Sequence, residues 1–372
     1  MKTTKISYLL SIFFLFFLMQ SCEDEDDGET PTVPQQVQTN APPASNYFFG
    51  IKSDRSGSNA HHPAWTTDFM NYNVITDQYN FIDFIDIGGN NIALAEFVSN
   101  NEYRIHYGTL DNLTNLQTLT TFNRVSDLVI LENGEIIVLS IDGNNYRIGG
   151  VDRQNNSINF NMLTGGQTIQ ALHNVGNAAA GTVDGQTGPL LLSTKNGDTL
   201  NFNASPFNNP RKYERINNTF WAIGQGEWAT ATGSDINTAS WTATGIQTNQ
   251  SNTTDSIGGF SSSSNLQIVN GEYRLYGLIN TSHWSLPCVN ISTDNGQNWE
   301  TKFLTGLPIF NGGSFSIEVQ SSPSLSMMTV FSGSAPLEEG IYSSANGIDF
   351  TKWQDADAVA NAESFTKVNY KR

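Results

Sequence analysis

Apolar positions along this chain come in short paired runs separated by Asn, Gly, Ser or Pro. Residues 84–87 and 92–95 flank a turn at 88–91, and 128–131 and 136–139 flank Asn133 and Gly134. The pattern returns as 171–173 with 178–181, 213–216 with 220–223, 266–269 with 273–278, and 317–319 with 327–331. Each pair predicts a β-hairpin, and Asn-Gly at two of the turns is the strongest short hairpin signal because both central residues should take positive φ. With turn centres at Asn90, Asn133, Val175, Asn217, Asn270 and Ser322, the spacings are 43, 42, 42, 53 and 52 residues.

A period of this length, nearly free of helical pattern, is that of a four-stranded propeller blade. One such sheet cannot cover both its apolar faces, whereas sheets packed around a channel cover each other and leave short edges. The expectation is an all-β propeller of four-stranded antiparallel blades, six by the repeat count and seven as the other possibility. Residues 47–51 and 365–370 lie outside the six repeats. Pairing them in one blade would close the ring, completing the sixth blade or forming a reduced seventh.

A second pattern agrees. Ser292, Asp294, Gly296 and Trp299 stand at the spacing Ser-x-Asp-x-Gly-x-x-Trp, the Asp-box. Ser343, Gly347 and Phe350 form a worn copy with Ala345 in the Asp place, and residues 193–200 and 234–241 are fainter ones. The Asp carboxylate accepts backbone N–H groups in a tight turn, Gly supplies a conformation costly for other residues, and the aromatic packs beneath. These are structural residues at the end of a third strand. Boxes at this spacing resemble the sialidase-like propellers over roughly residues 80–355. The resemblance implies architecture and leaves activity open, since the same boxes occur in non-enzymes.

In that family catalysis requires three Arg around a carboxylate, a Tyr polarised by a Glu, and an Asp acid-base. The family's Arg-Ile-Pro motif is absent, its nearest echo being Arg124-Val125-Ser126. Arg104, Arg147 and Arg274 each follow a Tyr after a turn, as repeat decoration does. The catalytic set is therefore not recovered. Ligands of propellers gather on the face opposite the boxes, over the channel mouth. Candidates there include Asn100, Asn101, Asp142, Trp228, His283 and Trp284, the aromatics being suited to stacking on sugars. Trp228 and Trp284 could equally pack into their blades. The adjacent pair His61 and His62 reads as a solvated loop rather than a metal site, and neither metal nor cofactor is expected.

The N-terminal residues set location. Lys2 and Lys5 precede an apolar run at 8–19, twelve positions where a bilayer span needs roughly 20. Residues 1–21 resemble a bacterial lipoprotein signal ending before Cys22, the lipidation site, although Gln20 departs from the usual lipobox. Residues 23–27 are five consecutive carboxylates, and 28–45 are rich in Thr, Gln and Pro, together a solvated tether. An acidic run after the lipidated Cys resembles the surface-export signal of Bacteroidetes-type lipoproteins. This implies a lipid anchor in the outer membrane facing the exterior; a plain spacer is the alternative. The propeller domain would occupy residues 46–372.

Without Lys2 and Lys5 the chain holds 16 basic against 35 acidic residues. That balance excludes the basic stripe that nucleic acid binding needs. With Cys22 acylated, Cys288 has no disulfide partner and reads as a small buried hydrophobe. The sequence as a whole favours a monomeric, non-enzymatic surface protein that binds glycan or protein. An exo-acting glycoside hydrolase is the alternative, and a periplasmic assembly factor a second one.

Overall fold

The computed structural model describes residues 40–53, 61–69, 71–79, 81–100, 102–121, 124–185, 188–208, 210–224, 227–245, 257–262, 266–281, 285–307, 315–332, 340–355 and 364–371. The expected signal, Cys22 and most of the tether lie outside them. All the described residues belong to one unit, Asn40–Arg372.

Among the described residues there are seven antiparallel sheets, and the six predicted hairpins, in four cases the first two strands of a sheet, lie in six of them. In chain order these are blade 2, from Ile82–Gly88 to Gln117–Thr121, and blade 3, from Arg124–Ile130 to Ser157–Met162. Blade 4 runs from Thr168–Ile169 to Asn201–Ala204, and blade 5 from Pro210–Ile216 to Thr242–Gly245. Blade 6 runs from Ile257–Ser262 to Glu300–Phe303, and blade 7 from Phe315–Ser321 to Thr351–Asp355. In blades 4 and 6 the inner arm is split, and the hairpin uses its second piece, His173–Asn174 or Gln267–Val269.

Blade 1 is the closing blade. Its strands lie in the order Asn73–Val74, His61–Thr66, Tyr47–Ser53, Ser364–Lys371, so the C-terminal strand supplies the innermost position. Tyr47 pairs with Lys371 and Ser53 with Ser364. The terminal strands thus pair in a closing blade as expected, and of the two counts considered it is seven, not six, that holds.

The core lies between blades. Seven buried apolar clusters occur, one for each pair of neighbours round the ring, the last joining Met327 and Ile341 of blade 7 to Phe48 and Phe365 of blade 1. This explains the unbroken apolar runs. In the second strand of blade 3, Ile136 and Val138 face blade 2, while Ile137 and Leu139 face blade 4. Side chains alternate across a strand, and here both faces are interior.

The hairpin turns follow expectation at Asn270 and Gly271, where φ is 52° and 83°. At Asn133 only Gly134 is left-handed, with φ 84°. There Leu131 N–H donates to the Glu135 carbonyl at 2.8 Å and Asn133 Oδ1 accepts Glu135 N–H at 3.1 Å, a longer loop than a two-residue turn.

Candidate functional site

The third-to-fourth turns share one end of the blades, and the one at 292–299 forms as its residue types require. Asp294 Oδ1 accepts Asn298 N–H at 2.8 Å and Gln297 N–H at 3.0 Å, while Ser292 Oγ accepts Gly296 N–H at 2.8 Å. These donors hold the Asp294 carboxyl down at about 2, the Asn298 backbone contributing most. Trp299 seals the interface between blades 5 and 6.

The copy in blade 7 is shifted by one residue. Ser344 Oγ, not Ser343, accepts Gly347 N–H at 2.9 Å, and Asn346 Oδ1 accepts Ile348 and Asp349 N–H, each at 2.9 Å. Ser343 instead pairs across the sheet with Met327 and Thr351 of the two neighbouring strands. Blade 4 repeats this arrangement with Thr194, Asn196 and Gly197. A further copy in blade 1 was not legible. Thr66 Oγ1 accepts Phe69 N–H at 2.9 Å and Asp68 Oδ1 accepts Asn71 N–H at 2.9 Å, with Phe69 at φ 57° where Gly would be expected.

Inner strands carry a different use of carboxylates. Asp86 of blade 2 accepts Ile130 N–H of blade 3 at 2.8 Å; Asp127 of blade 3 accepts Leu172 N–H of blade 4 at 2.8 Å; Glu214 of blade 5 accepts Leu266 N–H of blade 6 at 2.8 Å. These acids clamp one blade to the next. Nearby, burial first and then the Lys212 charge push His173 down to about 4, so it is neutral and donates Nε2–H to the Arg211 carbonyl at 3.1 Å. Burial also lowers Lys212, against the pull of Glu214 and Glu318.

The end opposite the third-to-fourth turns holds a cleft of about 540 Å³, within the range of small-ligand sites. Four segments build it: His61 opens the third strand of blade 1, and Phe81 immediately precedes Ile82 and Asp83, which begin the first strand of blade 2. Phe97, Asn100 and Tyr103 surround the second-to-third turn of blade 2, and Arg124 opens blade 3. Tyr103 donates its hydroxyl to Asp83 Oδ2 at 3.2 Å. Burial and that carboxylate push Tyr103 up, while Arg124 acts the other way through its charge and a hydrogen bond. Asp83 is held in turn by Lys367 of the closing strand, whose Nζ is 3.4 Å from Oδ1 and 3.7 Å from the Phe84 ring centroid.

Of the loop candidates named from sequence, Asn100 lines the cleft, and neither Trp228 nor Asp142 does. Trp228 is 2% exposed and packs on Trp299 with ring centroids 4.6 Å apart, so it is a core residue and not a surface platform. Asp142 is exposed on this end of blade 3 but is paired with Arg147 at 2.5 Å. Asn101, His283 and Trp284 lie outside the described residues. Arg104 and Arg274 are engaged close by, with Glu102 at 3.3 Å and Glu272 at 2.7 Å. Among the described residues no group of His, Cys, Asp and Glu is arranged to hold a metal ion, and no helix is long and apolar enough to cross a membrane.

No family model matches the chain, and no curated protein sequence does. Solved structures do. A prolyl endopeptidase aligns at TM-score 0.53 and 11% identity, covering 88% of this chain and 49% of that one. The chain therefore spans about half the length of that protein. Virginiamycin B lyase from Staphylococcus aureus aligns at TM-score 0.45 and 14% identity over 76% of this chain and 91% of that one. The propeller domain of the Trilobed protease from Pyrococcus furiosus aligns at 0.41 and 11% over 72% and 83%. The likeness is one of fold: this chain is a β-propeller.

Proposed function

We propose that this protein is a lipid-anchored propeller on the outer face of the outer membrane, where it binds glycan or protein through the face opposite its third-to-fourth turns. The observation that carries the binding half is the cleft between blades 1, 2 and 3 on that face, with aromatic, amide, hydroxyl and guanidinium groups converging on one space. The anchor at Cys22 and outward display rest on the sequence of the leader and the acidic run. The sialidase-like resemblance rests on the box spacing.

The hydrolase alternative finds little support in the cleft. Its Tyr–carboxylate pair has Tyr103 as the donor, and burial with Asp83 pushes that hydroxyl up, away from the phenolate a nucleophile would need. Binding of the full chain to a glycan and protein array, with the products examined for cleavage, tests the reading. Retained ligand without turnover is expected; no ligand, or turnover, would refute it. Protease shaving of intact cells tests display, and a protected protein would end that part.

A further inference from the structure

Strain in this backbone is concentrated beside the cleft. Among the described residues eight non-glycine positions have positive φ, and five are Asn, the residue type that tolerates it. Of the others, Phe69 stands in the Gly place of the blade 1 turn. The remaining two, Phe81 at φ 54° and Lys367 at φ 51°, meet at Asp83: Phe81 is two positions before it in the cleft wall, and Lys367 donates to both its carbonyl and its carboxylate.

Phe81 cannot relax, because its carbonyl accepts Phe97 N–H at 2.9 Å and a bulge follows between Ile82 and Phe84. The outcome is an aromatic ring left 44% exposed at the cleft, 6.1 Å from the His61 ring. A large side chain held in a costly conformation so that it faces solvent contributes little to the core. Such strain, with a bulge beside it, marks places where a side chain is aimed at a ligand.

Arg124 adds the second requirement. It is exposed and lines the same cleft as Tyr103, and among the described residues no ion pair joins it to a carboxylate, in a chain of net charge −17. Asp83, the one carboxylate among the described residues that line the cleft, is taken by Lys367 and Tyr103. The cleft thus offers a flat apolar platform, an amide at Asn100 and a fork of N–H donors still suited to an anion.

We propose that the cleft is a subsite for a sugar ring bearing a carboxylate, a uronic acid, with its apolar face on Phe81 and its carboxylate on Arg124. This rests on the reading of the face as ligand-binding. Calorimetric titration of the full chain should use glucuronate and galacturonate, free and as short oligomers. Glucose, galactose and their oligomers serve as uncharged counterparts, and N-acetylphenylalanine as a carboxylate without a sugar. Uronates should bind best, and Phe81→Gly and Arg124→Gln should each weaken them about tenfold or more. Phe81→Gly should leave the melting temperature unchanged or raised, since Gly accepts positive φ, which a merely structural Phe81 would not allow. Equal binding of uncharged sugars, preference for N-acetylphenylalanine, undiminished affinity in both variants, or no uronate binding at about 10 mM would each overturn the assignment. Array hits without uronates would end this inference and leave the broader reading standing; an array without hits would end the broader one.

Discussion

Asp127 Oδ2 accepts the backbone N–H of Leu172 at 2.8 Å, across 45 residues and one blade boundary, while its Oδ1 accepts Leu128 N–H at 2.9 Å. Asp86 makes the same two bonds, to Ile130 at 2.8 Å and Ile87 at 2.9 Å. Such a carboxylate satisfies two amides that strand pairing does not. Asp127→Ala should cost about 2–6 kcal/mol, because each of the two unsatisfied buried donors costs roughly 1–3 kcal/mol. Denaturant unfolding beside the exposed-site control Asp142→Ala, which should change stability by less than about 1 kcal/mol, checks this.

Asp127 also gives the ring a pH signature. Burial, aided by Asp86 and opposed by the two amides and Lys367, pushes its carboxyl up to about 7. A folded value above the ordinary carboxylate range means that its contribution is fully present below about pH 4 and is lost as pH rises through about 7. The turn carboxyls of Asp235, Asp294 and Asp349 are held low, so their contribution runs the opposite way and is lost in acid. The difference between wild-type and Asp127→Asn stability curves isolates the first effect. It should fall between pH 4 and pH 7, and a flat difference would remove Asp127 as its source.

Two glycines at similar φ separate strain from packing. Gly296, at φ 85°, lies against the Trp221 ring so closely that an added Cβ would overlap it. Gly271, at φ 83°, has nothing within 4 Å of such a Cβ. Gly271→Ala should cost about 1–2 kcal/mol from the left-handed backbone alone. Gly296→Ala should cost about 1–3 kcal/mol more, the usual penalty of overpacking. Paired thermal melts of the two variants test the difference.

Much of this architecture was legible in sequence because the hairpins repeat: residues 136–139 and 220–223 carry the pattern unaided. In blade 1 the closing pair, 47–51 with 365–370, was legible too, but its two outer strands were not, since the turn that joins them carries Phe69 in the Gly place. The shift from Ser343 to Ser344 escaped the motif because Asn346 performs in its own place what Asp294 does one position earlier in the box. Trp228 misled for the same reason that the hairpins succeeded. In a strand buried on both faces, alternation does not say which residue reaches water. The cleft was fragmentary because Phe81, Asn100, Tyr103 and Arg124 come from separate segments. Sequence singles out Asn100, as a loop candidate, and Arg124, as an echo of a missing motif, but nothing in it joins the two.

Cys288 is fully buried and its thiol is pushed up by that burial. It should resist a thiol reagent in the native protein and react at the rate of unfolding, as followed by absorbance through a denaturant series. Fast native labelling would contradict its placement between blades 5 and 6.

Closure of the ring by the two chain ends positions the cleft as well as the core, because Lys367 reaches Asp83 from the closing strand. Hydrogen–deuterium exchange on the full chain measures it most directly. Tyr47–Ser53 and Ser364–Lys371 should be protected together, to the level of the blade 3 strand Ile136–Asp142. Rapid exchange of Ser364–Lys371 beside a slow Ile136–Asp142 would contradict a seventh blade built from both ends of the chain.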